Sequence, residues 1–270
     1  MKILKTVVVL CLAIILSSSQ VGNPQNEFCG IDNTAFIAGE QITYHVYYSV
    51  IGAYILAGTG VFTNTLETFN NRTVYHIVGD GKTNPSYDWI YKVRDKYESY
   101  IDTATLQPLK FIRDVNEGGY KFYETITFNR DANTAITNKG VYKMPDCVQD
   151  VVSAMYYARN IDFNKYKPQD KIPFKMFLGD EVFNMYIRYL GKETIKTQYG
   201  KFKAIKFKPL LLKGTIFEGG EKMTVWVSDD PNHVILRVES PIVVGKVKVD
   251  MMGYRNLKHP LTSLIKFRGG

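Results

Sequence analysis

The chain has 270 residues, with 34 lysines and arginines against 26 acidic residues, and is 45% hydrophobic, with 19 tyrosines and 15 phenylalanines but only 2 tryptophans and 4 histidines. That much apolar and aromatic surface can outweigh the entropy of ordering the chain, which excludes an intrinsically disordered protein, a coiled coil and a collagen-like fibre. Abundant Tyr, Thr, Val, Ile and Phe favour pleated structure, and the length suits one large β domain.

In chain order, residues 1–19 read as a signal peptide. Lys2 and Lys5 precede an apolar run from Thr6 to Leu16, and Ser17, Ser18 and Ser19 supply small residues for cleavage. The run is too short for a bilayer span, which needs about 20 residues. Cys11 lies inside the apolar run rather than after a small residue at its end, so lipid attachment is not expected. Export follows, to a periplasm or cell surface, and the protein is not expected to be integral to the membrane. Export also disfavours nucleic acid as a partner. Without the signal the chain keeps 32 basic residues (34 − 2) against 26 acidic ones, a modest excess that keeps an exported protein soluble or favours anionic surfaces. Cys29 and Cys147 then remain as an even pair in an oxidising compartment, and they are expected to form a disulfide.

A polar leader is placed at residues 20–35, a single β-rich domain at 36–257 and a C-terminal tail at 258–270. In Gln41 to Val50, Ile42, Tyr44, Val46, Tyr48 and Val50 alternate with Thr43, His45, Tyr47 and Ser49, the period of a strand with one buried face. Tyr120, Phe122, Ile126 and Phe128 repeat the pattern. Further strands are predicted at 60–68, 73–79, 91–101, 109–115, 182–190, 202–207, 223–227, 234–238 and 244–251, separated by turns such as Asn70-Asn71, Asp80-Gly81 and Gly219-Gly220. A short helical turn is placed near Asn84 to Tyr91. Many short strands at regular spacing predict a mainly β fold, a curved antiparallel sheet or open barrel. The exception lies between Asp146 and Asn160, where Val148, Val151, Val152, Met155 and Tyr156 form a helical stripe and Asp146 with Gln149 resembles a capping box. The concave face of the sheet is the surface available to cover that stripe.

No chemistry-bearing motif emerges. There is no G-x-S-x-G elbow, no H-E-x-x-H and no C-x-x-C, and His45, His76, His233 and His259 are scattered, so no metal or other cofactor is expected. Gly81-Lys82-Thr83 lacks the upstream glycine of a phosphate-binding loop, because His76 stands there. Asp229-Asp230 precedes Pro231-Asn232 and reads as a turn. Asp150 and Arg159 read as polar clamps between helix and sheet. Lysines at 201 and 203, 206 and 208, and 246 and 248 are either a solvated sheet face or a basic stripe meeting an anionic membrane or glycolipid.

Four blocks carry a resemblance: Phe36 to Tyr44 (FIAGEQITY), Cys147 to Arg159 (CVQDVVSAMYYAR), Tyr199 to Lys206 (YGKFKAIK) and Met223 to Asp230 (MTVWVSDD). In this order they resemble the exported proteins grouped as domain of unknown function 3108, from about Phe36 to Tyr254. The resemblance implies the envelope of a Gram-negative bacterium, an antiparallel β fold and no established activity. The helix-lidded pattern is also similar to the half-barrel of periplasmic lipoprotein carriers, an analogy of fold alone.

A non-catalytic binding protein is therefore expected, holding a lipid, a lipoprotein acyl chain or another amphipathic ligand in an interior lined by Tyr44, Tyr48, Phe122, Met155, Tyr156 and Trp226. The alternative is a structural or assembly factor with a packed interior whose outer surface binds an envelope protein or a glycan. A hydrolase ranks last, because no carboxylate pair stands out.

Overall fold

The computed structural model describes residues 29–50, 53–213, 219–242 and 244–268. The expected signal peptide and most of the leader lie outside the described residues.

Among these, fifteen strands form one antiparallel sheet. The first meander comprises β1 (Gln41–Val50), β2 (Ala53–Phe69), β3 (Arg72–Thr83), β4 (Arg94–Asp102), β5 (Pro108–Glu117), β6 (Tyr120–Asn129), β7 (Thr134–Thr137) and β8 (Gly140–Lys143). The second comprises β9 (Lys171–Leu178), β10 (Glu181–Lys196), β11 (Gly200–Pro209), β12 (Thr224–Ser228), β13 (Ile235–Pro241) and β14 (Lys246–Arg255). A last strand, β15 (Leu264–Phe267), pairs with β11. The order β8-β7-β6-β5-β4-β3-β2-β1-β14-β13-β12-β11-β10-β9 joins the two meanders where β1 pairs with β14. The predicted mainly β class, with one helix against the concave face, is the observed one.

The one α-helix among the described residues, α1 (Val151–Ala158), lies in the connection from β8 to β9, the two opposite edges of the sheet. The two edges curl toward each other across the segment 144–170 that carries α1, close enough for side chains of β8 and β9 to touch. Irregularities of pairing at Val46/Tyr47 and Thr43/Tyr44 in β1 and at Tyr189/Gly191 in β10 bend the strands accordingly. No ladder joins β8 to β9 and the barrel stays open. The chain just before α1 fills the seam instead: the Gln149 N–H donates to the Lys175 carbonyl at 2.9 Å, and the Phe177 N–H donates to the Gln149 carbonyl at 2.8 Å. Phe177 of β9 meets Phe128 of β6 and Tyr142 of β8 at centroid distances of 6.1 and 6.3 Å.

That seam corrects the expected helix start. Gln149 is occupied in an extended bridge and Cys147 takes a left-handed φ of 60°, so the capping box is Asp150 with Ser153, four positions beyond the Asp146 expectation. Cys147 is bonded to Cys29, with Cα atoms 5.2 Å apart. Strand β9 escaped the alternation reading because Pro173 interrupts it, a residue tolerated here because β9 is an edge. The expected tail is part of the fold: β15 extends the sheet, and the buried Asn232 amide donates to the His259 carbonyl at 3.0 Å. The end of the leader is held as well, with Ala35 fully buried and the Ile31 N–H donating to the Tyr157 hydroxyl at 3.2 Å.

Candidate functional site

Helix α1 divides the interior. Its cap is a buried carboxylate: Asp150 Oδ1 accepts from the backbone N–H groups of Val152 and Ser153 at 2.8 and 2.7 Å, and Oδ2 accepts from the Ser99 hydroxyl of β4 at 2.6 Å. Burial pushes the Asp150 carboxyl up to about 6, although these hydrogen bonds pull the other way. At the far end Arg159 donates to both oxygens of Glu40 and to the carbonyls of Asn232 and Ala35. Burial alone would lower the Arg159 pKa, but the Glu40 carboxylate outweighs it and the net shift is upward. These are the expected clamps from helix to sheet. Asp230 serves the expected turn by accepting from the Ser228 hydroxyl and the Asn232 N–H.

Between its clamps, α1 turns two faces in opposite directions. Val152 and Tyr156, with Phe36, Ile77, Phe111, Ile126 and others, pack into a solid core beneath β3 to β7. Val151, Ala154, Met155 and Ala158 face β9 to β13, and there the packing fails to close, leaving a cavity of about 450 Å³. The sheet lines it with alternate residues, among them Met185 and Ile187 of β10 and Val225 and Val227 of β12. Leu210, Leu211 and Leu212, each half-buried, form its lip at the C-terminal end of β11. Almost no polar atom reaches this space, since the guanidinium of Arg159 at its inner end is already engaged by Glu40.

Of the six residues expected to line the interior, only Met155 borders this cavity. Tyr44 and Tyr156 border a separate hollow of about 20 Å³ on the other side of Met155, Arg159 and Ile235. The remaining three point elsewhere. Trp226 lies between Val225 and Val227 and therefore faces the opposite side of β12, where its indole N–H donates to Glu193 at 2.6 Å and the Lys206 ammonium sits 5.3 Å from the ring. Tyr48 falls after the irregularity at Val46/Tyr47, which breaks the parity set by Ile42 and Tyr44, and its hydroxyl donates to the Val244 carbonyl at 3.0 Å. Phe122 stacks on Tyr120 and lies under the Arg113 guanidinium near the start of β6. The residues missed, Met185, Ile187, Val225 and Val227, all lie in predicted strands at alternate positions; which parity faced inward was the undetermined part.

Among the described residues no group of three His, Cys, Asp or Glu is placed to hold a metal ion, and no helix is long and apolar enough to cross a membrane.

The profile of a protein family of unknown function, DUF3108, matches residues 43–252. No curated protein matches the chain. Among solved structures, a β-barrel-like protein of the DUF1849 family from Brucella abortus superposes with a TM-score of 0.52 at 6% identity, over 82% of this chain and 99% of that one. That likeness concerns the fold alone. A candidate lipoprotein from Parabacteroides distasonis has a TM-score of 0.36 at 15% identity, over 83% of this chain and 100% of that one. A candidate exported protein with a YmcC-like fold from Bacteroides fragilis gives 0.32 at 14%, over 84% and 100%.

Proposed function

The chain belongs to the DUF3108 family of unknown function, and from that premise we propose that it is an exported, non-catalytic envelope protein that holds the apolar part of a lipid or other amphipathic ligand in the cavity between α1 and β9 to β13. The cavity carries this reading. Its volume of about 450 Å³ falls within the range of roughly 300–1,000 Å³ common to small-molecule sites. An apolar space of this kind gives water too few hydrogen bonds to be filled stably, so an alkyl chain entering it displaces little and gains contact with methionine, leucine and valine side chains. With Arg159 neutralised by Glu40, no charge remains inside to pair with a polar head group, so the head is placed at the leucine lip, beside the exposed Lys213. The open volume weighs against the alternative of a structural or assembly factor with a fully packed interior.

Native mass spectrometry of the protein purified from its own envelope tests the proposal. A lipid-sized adduct is expected, and it should be lost when Met185→Trp and Val225→Trp fill the cavity while circular dichroism shows the sheet intact. A protein that carries no adduct and takes up no fluorescent fatty acid overturns the reading.

A further inference from the structure

The register of the sheet brings one set of strand ends together. The C-terminal end of β11 with the leucine lip, the β13–β14 connection, the β1–β2 hairpin, the β3–β4 loop and the β5–β6 turn all lie on the same rim, because each strand pairs antiparallel with the next. This rim carries apolar groups that folding leaves in water. In the β3–β4 loop Trp89 is 83% exposed and Ile90 62% exposed, with Tyr91 beside them; the hairpin adds Tyr54 and Ile55.

The exposure is built rather than incidental. The Thr83 hydroxyl and the Arg94 guanidinium both donate to the Asp88 carboxylate at 2.6 Å, fixing the base of the loop. Asn84 caps a single 3-10 turn at Pro85–Tyr87 and the indole N–H of Trp89 donates to the Ser86 carbonyl at 3.0 Å, so the ring is held by its own loop and presented outward. The Tyr91 ring packs closely against Gly118 of the β5–β6 turn, where a Cβ would meet it at 2.4 Å.

The charges around this tip are asymmetric. Asp88 is engaged by Arg94, and Asp80, Asp95 and Asp114 sit lower, in a shallow hollow where Lys82, Arg94 and Lys96 match them in number. Burial, with the neighbouring Asp95 carboxylate, lifts Glu117 to about 7, so that it is partly protonated at neutral pH. By contrast Lys92, Lys121, Lys246 and Lys248 make no ion pair among the described residues, and Lys248 lies 4.3 Å from the Tyr54 ring centroid. Tryptophan and tyrosine with unpaired lysines around aliphatic tips form the combination that partitions to the head-group region of a bilayer, with rings at the interface and ammonium groups on lipid phosphates.

We propose that this rim docks on an anionic phospholipid membrane, with Trp89 and Ile90 inserted into the head-group layer and Lys92, Lys121, Lys246 and Lys248 on lipid phosphates. The inference goes beyond the cavity reading and stands on the rim alone; if both hold, docking sets the leucine lip against the source of its ligand.

The test is co-sedimentation of the purified protein with vesicles of phosphatidylglycerol and phosphatidylethanolamine, compared with pure phosphatidylcholine vesicles. Binding to the anionic vesicles only, weakened by salt, is expected. The double variant W89S/I90S, altered where the side chains touch little, should weaken binding by about tenfold or more. Lys246→Gln and Lys248→Gln should each weaken it by about fivefold, the worth of one basic residue at an anionic surface. Because the chain has 2 tryptophans, Trp226→Phe leaves Trp89 as sole reporter, and its emission should shift to the blue on vesicle binding. No vesicle binding, equal binding to neutral vesicles, or unchanged binding by W89S/I90S overturns the proposal. A dimer in solution that W89S/I90S abolishes, without vesicle binding, also overturns it and assigns the rim to self-association. The cavity-filled variant M185W/V225W should still dock, which separates failure of this inference from failure of the cavity reading.

Discussion

Arg159 and Glu40 meet through two hydrogen bonds of 2.5 and 2.7 Å, across 119 positions of sequence and with both side chains almost fully buried. The pair joins the C-terminal end of α1 to the residue that precedes β1, and the same guanidinium holds the carbonyls of Asn232 and Ala35. One side chain thereby fixes the helix against both meanders of the sheet.

Removing one partner of this pair strands a buried charge. Glu40→Gln is expected to cost about 3–5 kcal/mol, read as a lowered urea midpoint at unchanged slope, whereas E40L/R159M, which removes both charges, should recover much of that loss. A cost below about 1 kcal/mol for the single variant would show that the pair is not what holds the helix end.

Asp150 predicts a pH dependence of defined sign. Its carboxyl is raised to about 6 in the folded chain against roughly 3.9 unfolded, so between those values the native state binds more protons and stability falls as pH rises, by an amount on the order of 3 kcal/mol, then levels off above about 6. Asp150→Asn keeps the one oxygen that accepts from Val152 and Ser153 and should remove that slope. Asp150→Ala should remove the slope as well, and near pH 4, where the wild-type carboxyl is protonated in the folded chain, it should cost about 1 kcal/mol for the lost cap. Denaturant titrations from pH 4 to 7 distinguish the variants; a wild-type slope of opposite sign contradicts the assignment.

The Cys29–Cys147 bond closes a separation of 118 residues and ties the start of the described chain to the seam beside α1. In the chain-entropy model it stabilises by about 4–5 kcal/mol. Reduction, or Cys147→Ser, is expected to lower the thermal midpoint and to expose the 147–149 segment to hydrogen exchange before the strands open. Mass spectrometry of the unreduced protein should find no free thiol at either position.

Much of this architecture is legible in the chain. The alternation in β1 and β6, the turn residues between strands and the stripe around Val151 to Tyr156 depend on local periodicity, which burial imposes directly on sequence. What escaped depends on contacts between distant segments. Gln149 would have continued the helix had β9 not offered it a free edge, and β7, β8 and β9 are short or interrupted strands whose pairing partners, not their own pattern, make them strands.

The cavity separates the two kinds of information most sharply. Period-2 alternation establishes that Val225, Trp226 and Val227 point to alternate sides, but a strand read alone has no inside, so Trp226 was assigned to the interior that its neighbours occupy. By itself the sequence determined a cysteine pair, antiparallel strands and one helix tied down by Asp150 and Arg159. Only the folded sheet decided which face closes over that helix. Between α1 and β9 to β13 the side chains do not meet across the whole gap, which leaves room for something the described chain does not itself supply.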